Sequence, residues 1–308
     1  MIESTNISVK KNSERTMEKS NSNFLNIDGF KLHYEVFEGL VDHDTLMIHG
    51  NLACNLWWYP AISELQKMNS NFDLNQKNNF KVQSQNLNHK SGRLVLADWR
   101  GCGLSKGLES ESDINFDMFA DDYLLLIDAL NLKDIQVVGH STGGLIAMLA
   151  ILKQPHKFKN LVLLDSIGPL GIETPIPLDI LLGHFEAVSK NEEICNMTIA
   201  ATIQGVDVTT DYFKSLAKAS FEVDTAVWRG VPETLCTKIN ITDKMKDLKL
   251  PVLILHGEND MVLPVDGSEK MHKMIKNSEL KILKNQGHSF NVEDPKGFTK
   301  ELESFWSK

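Results

Sequence analysis

Six short runs constrain this chain more than anything else in it: TLMIHG (45–50), RLVLAD (93–98), IQVVGH (135–140), NLVLLD (160–165), PVLILHG (251–257) and ELKILK (279–284) are almost continuously apolar. Runs of this length read as strands buried on both faces of a parallel sheet, because a half-exposed strand would alternate apolar with polar residues. An alternating segment does occur upstream. FLNIDGFKLHYEVFEG (24–39) alternates on both sides of Asp28-Gly29, which predicts a β-hairpin with a two-residue turn. Helical spacing separates several of the runs. FDMFADDYLLLIDALN (116–131) puts Met118, Phe119, Leu125, Ile127 and Leu130 near one face, GGLIAMLAILKQ (143–154) is apolar all round, and PKGFTKELESFWSK (295–308) opens on Pro295 and repeats Phe298, Leu302 and Phe305. The expected fold class is α/β, with a mostly parallel sheet of about eight strands and helices on both faces.

Three stretches break the rhythm. Residues 1–23 are polar and without period, and predict a disordered tail. Residues 67–92 are rich in Asn, Gln, Lys and Ser and predict a surface insertion. Residues 168–245 carry helical patterns such as LDILLGHFEAVS and TDYFKSLAKASFE without a strong strand signal, and read as a helical cap inserted between two parts of the core, 24–167 and 246–308. A formal net charge of −9 argues against nucleic-acid partners and leaves small molecules as the expected ones. Cys54, Cys102, Cys195 and Cys236 are scattered without a CxxC pair, so they predict reduced, mostly buried thiols rather than a disulfide framework or a zinc site. No apolar run reaches membrane-spanning length, and 1–23 lacks the apolar centre of a secretory signal, so the expected location is cytoplasmic. Oligomeric state is not legible.

The chemistry gathers where strands end. Gly139-His140-Ser141-Thr142-Gly143 is a G-x-S-x-G turn between a strand and a helix, which makes Ser141 a candidate nucleophile and places the Thr142 N–H at a helix N-terminus. The alternative is an ordinary glycine-rich turn that happens to contain serine. His49-Gly50 ends another strand, making the N–H of Asn51 the candidate second oxyanion donor. Asp260 follows the strand ending at Gly257, with Glu258 as a competitor, and His288 follows the last apolar run. A serine hydroxyl needs a base, a group that orients the base, and N–H donors for the oxyanion. Ser141, Asp260 and His288 stand in the chain order Ser, Asp, His, each past a predicted strand.

On these residues the sequence resembles the α/β-hydrolase superfamily over residues 24–308, the polar insertion excepted. DWRGCGLS (98–105) looks like that superfamily's D-x-R-G-x-G-x-S turn, with Asp98 and Arg100 expected to fix it. The resemblance implies Ser141, Asp260 and His288 as catalytic residues and Asn51 and Thr142 as the oxyanion hole; without a G-x-x-x-x-G-K-[ST], an H-E-x-x-H or a Cys/His cluster, no cofactor and no metal are expected. Trp57, Trp58 and Phe185 are the candidate pocket residues, with core packing as their alternative. Within the superfamily, GHSTGG with a short HGN looks more like the small-ester, lactone and cofactor-free perhydrolase branches than the lid-type lipases. The implied activity is cleavage of an ester-like bond in a small, largely apolar substrate. Carbon–carbon hydrolysis, perhydrolysis by the same triad, and a ligand-binding receptor with slow or no turnover are the alternatives. A dinucleotide site fits poorly, since in GCGLSKG the third glycine comes one residue late for G-x-G-x-x-G.

Overall fold

The computed structural model of the chain describes residues 21–77 and 91–308. β1 (Asn21–Ile27) and β2 (Phe30–Val41) pair antiparallel across a turn in which Asp28 and Gly29 both lie in the left-handed region, at φ 50° and 90°. Left-handed backbone at both positions matches the twist of the flanking strands, which is why Asp-Gly serves there. β1 starts at Asn21, so residues 21–23 are sheet and not tail; they pair with Tyr34–Val36. The ladder is backbone-driven, which their polar side chains do not reveal. The rest of the expected tail, residues 1–20, lies outside the described residues.

β3 (Thr45–Ile48), β4 (Gly92–Ala97), β5 (Ile135–His140), β6 (Phe158–Leu164), β7 (Val252–Gly257) and β8 (Ser278–Leu283) complete an open eight-stranded sheet in the order β1-β2-β4-β3-β5-β6-β7-β8. β1, β2 and β4 pair antiparallel in succession, and every pairing from β4 to β8 is parallel. Alternate residues of one strand feed two cores. Leu46, Ile48, Val137 and Ile254 join one apolar cluster, while Met47, Val138, Leu253 and Leu255 join the other. Each such side chain contributes about 1.5–3 kcal/mol on burial. β8 departs from the expectation of two-sided burial. It is an edge strand whose residues are half-buried or exposed, and Lys281 reaches out to Glu301 at 2.7 Å.

α1 (Tyr59–Lys77) and α10 (Pro295–Trp306) cover one face, where Ala61, Ile62, Leu65, Phe298 and Leu302 are buried. α2 (Phe116–Ala129) and α3 (Thr142–Lys153) cover the other. α2 starts at Asn115, whose side chain accepts from the N–H of Asp117 and Met118, a cap worth about 1 kcal/mol. It buries Phe116, Phe119, Ala120, Tyr123, Leu124 and Ile127. Leu125, read as part of that face, sits off the stripe and is exposed. In α3 every residue from Thr142 to Ile151 is buried, as its all-apolar pattern requires. α1 runs into the segment read as a polar insertion. Its first half is anchored in the core, and an anchored helix propagates at little further cost; residues 78–90 lie outside the described residues. Between β6 and β7 come α4 (Leu178–Ser189), α5 (Glu192–Ala201), α6 (Asp211–Phe221) and α7 (Thr225–Thr237). α8 (Val265–Met274) and the short α9 (Phe290–Glu293) complete the helices. Among the described residues no helix is long and apolar enough to cross a membrane.

Candidate active site

Ser141 sits between β5 and α3 with φ 52° and ψ −120°, a conformation costing a non-glycine residue about 1–3 kcal/mol. Its neighbours hold it there. The Ser141 N–H donates to the Leu164 carbonyl at 2.9 Å, and the Ser141 carbonyl accepts from Gly144 at 3.0 Å and Ile167 at 3.1 Å. The flanking glycines are there for space: a Cβ on Gly143 would strike the Ile48 carbonyl, and one on Gly139 would strike the Gly143–Gly144 backbone. Thr142 opens α3, so its N–H belongs to the first turn, where helical N–H groups have no intrahelical acceptor. Asn51 follows β3 and borders the same cavity as Ser141. The next residue, Leu52, is left-handed at φ 51°, and its carbonyl accepts from the Ser220 hydroxyl of α6.

The candidate acid and the candidate base meet. Asp260 Oδ1 accepts from the N–H of Val262 at 2.7 Å and Leu263 at 2.9 Å, leaving Oδ2 to accept from His288 Nδ1 at 2.7 Å. Burial pushes the Asp260 pKa up, but the hydrogen bond and positive charge of His288, with the two loop N–H groups, hold it below the usual carboxylate range. With its Nδ1 proton committed to Asp260, a neutral His288 keeps a free lone pair on Nε2. Ser141 and His288 border one cavity. Glu258, the competing acid, is exposed.

Two further residues fix the His288 loop, and no sequence motif points to either. His140 Nε2 donates to the His288 carbonyl at 2.7 Å. Burial, together with the nearby His288, lowers the His140 pKa to about 3, so this ring stays neutral. The Glu293 carboxylate accepts from the N–H of Gly287 at 2.6 Å, Ser289 at 3.2 Å and Gln204 at 2.8 Å, pinning both sides of His288 and tying them to the turn that follows α5. Asp165 is a third missed residue. Wholly buried at the end of β6, it accepts from the Gly257 N–H at 2.8 Å through Oδ1, while Oδ2 has no partner. Burial first, then repulsion from Asp260, pushes its pKa well above the usual range. Asp165, His256 and Asp260 bring potential metal-ligand atoms within 4.8 Å of one another. A cation fits them poorly, since His256 already bonds Ser268 at 2.8 Å and Leu263 at 3.1 Å through its two nitrogens, and Asp260 holds His288.

Over these groups lies a cavity of about 860 Å³, roofed by α4, α5 and the segments after β6 and β7. Trp57 and Phe185 border it. Trp58 does not. It is wholly buried in the opposite core, its ring 6.1 Å from that of Phe298. The DWRGCGLS turn is held as expected by Asp98, which accepts from Leu104 N–H at 3.0 Å, whereas Arg100 leaves the turn to pair with Asp122 of α2 at 2.6 Å.

A family profile described as "Serine aminopeptidase, S33" matches residues 78–295. The chain is 24% identical over 183 residues to a 2-hydroxy-6-oxo-2,4-heptadienoate hydrolase of Pseudomonas putida, covering 58% of this chain and 66% of that protein. It is 24% identical over 281 residues to the serine hydrolase BPHL of Homo sapiens, covering 91% of this chain and 84% of that one. An esterase of Exiguobacterium antarcticum has a similar fold, with a TM-score of 0.75 at 20% identity, over 92% of this chain and 99% of the other.

Proposed function

The chain belongs to the serine aminopeptidase S33 family of the α/β-hydrolase superfamily, and from that premise we propose that it cleaves carboxylic esters or lactones of largely apolar acids through an acyl-enzyme on Ser141. The observation that carries this reading is the 2.7 Å contact of His288 Nδ1 with Asp260, set beside a serine in a strained strand-to-helix turn. His288 Nε2 takes the Ser141 proton as Oγ attacks the carbonyl carbon. The N–H groups of Asn51 and Thr142 receive the developing oxyanion, and Asp260 stabilises the imidazolium. His288 then protonates the leaving alkoxide and later activates the water that releases the acid. The lining supports an apolar acyl group. Trp57, Phe185, Ile199 and Leu263 are among its residues, and the volume lies within the range of small-molecule sites.

A second reading is carbon–carbon hydrolysis, which the first of these relatives favours by its name. The same three residues would serve it. Product analysis separates the two, since one yields an alcohol and the other two carbonyl-derived fragments.

The direct test is intact mass after a fluorophosphonate. The proposal expects one rapid adduct on the wild type and none on Ser141→Ala, with ester turnover lost by about six orders of magnitude in the variant, as when a triad serine is removed. A folded wild type that takes no adduct overturns the reading in favour of a ligand-binding scaffold.

A further inference from the structure

Among the described residues twelve large apolar side chains are exposed, and six of them, Leu170, Ile176, Ile194, Met197, Met261 and Val262, border the cavity over Ser141. Singly exposed apolar residues are ordinary on a protein surface. Half of them converging on one opening is a patch, and patches of this kind mark binding surfaces. They come from three separate segments: the stretch after β6, helix α5, and the loop after β7. Met197 is 67% exposed and Met261 85%, and methionine adapts its shape to irregular apolar partners. Ile180, on the first turn of α4 beside the lining residue Leu181, adds a side chain 62% exposed.

The charges choose among apolar partners. The single Lys or Arg among the lining residues, Lys270, is held by Glu173 at 3.0 Å and Asp266 at 3.3 Å. The rim therefore offers no spare cation to an anionic headgroup, and the chain as a whole carries a formal net charge of −9. An anionic surface is repelled, while an uncharged one meets the six exposed apolar side chains without a charge penalty. The rim residues and Ser141 line one and the same cavity.

We propose that this rim seats on the surface of an aggregated, uncharged ester, so that the substrate class is water-insoluble neutral esters taken up acyl chain first from that surface. This rests on the Ser141 hydrolase reading for the chemistry, but the docking itself does not need a working triad.

The test separates the two. The Ser141→Ala protein is mixed with a trioctanoin emulsion and, separately, with anionic phosphatidylglycerol vesicles, and each is floated by centrifugation. The proposal expects the protein to float with trioctanoin and stay behind with the vesicles, and Ile180→Asp on the same background to lose flotation. With Ser141 intact, tributyrin hydrolysis should climb above its plateau once the solubility limit is passed. Ile180→Asp should lose that climb while keeping its rate on dissolved p-nitrophenyl acetate. Met197→Asp, on a different helix, gives the same flotation readout if Ile180→Asp fails to fold. Absence of flotation overturns the docking proposal whatever the triad does. A concentration-dependent dimer that Ile180→Asp dissociates overturns it too, because the rim then belongs to a second copy. Flotation without turnover of either ester would leave the docking standing and sink the hydrolase reading.

Discussion

His140 donates its Nε2 proton to the backbone carbonyl of His288, 2.7 Å away, so the residue before the candidate nucleophile holds the loop that carries the candidate base. The ring also stacks on Trp57 and borders the cavity. Its Nδ1 is buried without a partner, and its pKa, lowered to about 3, keeps it neutral near neutral pH. His140→Ala leaves the His288 carbonyl without its donor and frees the loop to drift from Ser141. A lost hydrogen bond of this kind is worth about 1–3 kcal/mol, so kcat should fall by about ten- to a hundredfold with KM nearly unchanged. Steady-state kinetics on one soluble ester check this. A change confined to KM would mean that His140 serves the pocket instead.

Glu293 makes a parallel prediction. One carboxylate accepts from Gly287, Ser289 and Gln204, and Glu293→Gln leaves one amide oxygen to do that work while adding an NH₂ group that faces N–H donors. Charge-assisted bonds are worth about 1.5–3 kcal/mol each, so thermal stability and kcat should both drop, and hydrogen exchange should speed up at Ser289. Unchanged exchange at Ser289 would show that the loop is held without this carboxylate.

How much of this arrangement the sequence carries depends on what kind of information fixes each residue. Ser141, Asp260 and His288 are legible because each follows an apolar run, and strand ends in an open parallel sheet converge on one crevice. Glu293 is not, since its bond to Gln204 spans 89 residues and no local pattern announces a carboxylate that will accept backbone protons that far away. Trp57 and Trp58 show the same limit at close range. They are neighbours in a 3₁₀ turn, where successive side chains point about 120° apart, so one borders the cavity and the other enters the opposite core. The start of β1 and the reach of α1 escaped because backbone pairing and helix propagation act on polar residues as readily as on apolar ones.

Asp165 predicts a pH effect whose sign can be worked out. Its folded pKa lies well above the unfolded value near 3.8, so between the two the native state holds a proton that the unfolded state has released. Stability therefore falls as pH rises through that window. Asp165→Asn keeps an acceptor for the Gly257 N–H and removes the ionisation. The variant should match or trail the wild type at pH 4 and gain on it steadily toward pH 8, because only the wild type must take up a proton to fold there. His140, whose pKa burial lowers, titrates with the opposite slope but is common to both proteins and cancels in the difference, whereas His256 lies 3.9 Å from Asp165 and its own opposite slope changes with the substitution. Thermal melts of the pair from pH 4 to pH 8 check it. A pH-independent gap would mean that Asp165 is ionised throughout.

Asp98 ties the 98–105 turn to the loop that carries Asn51, the proposed oxyanion donor. Its carboxylate is buried and accepts from His33 Nδ1 at 2.8 Å, from the Leu104 N–H at 3.0 Å and from the Asn55 N–H at 2.7 Å. Burial pushes its pKa up, yet the His33 hydrogen bond and the nearby His49 and His33 outweigh it and hold the carboxyl below the usual range. Its contribution is thus present above about pH 4 and lost as pH falls through the lower folded value. If Asn51 is the oxyanion donor proposed above, the Asn55 bond bears on turnover, because residues 51–54 join Asn51, at the cavity, to the 3₁₀ turn that Asn55 opens. Asp98→Asn places an NH₂ group among three donors and breaks a buried charged network, which costs about 3–5 kcal/mol. The variant should melt well below the wild type at pH 7, with the gap narrowing toward pH 3. Where still folded, it should react more slowly with a fluorophosphonate, because a loosened Asn51 N–H no longer meets the oxyanion. A variant that melts early but reacts at the wild-type rate would confine Asp98 to the turn and detach it from the site.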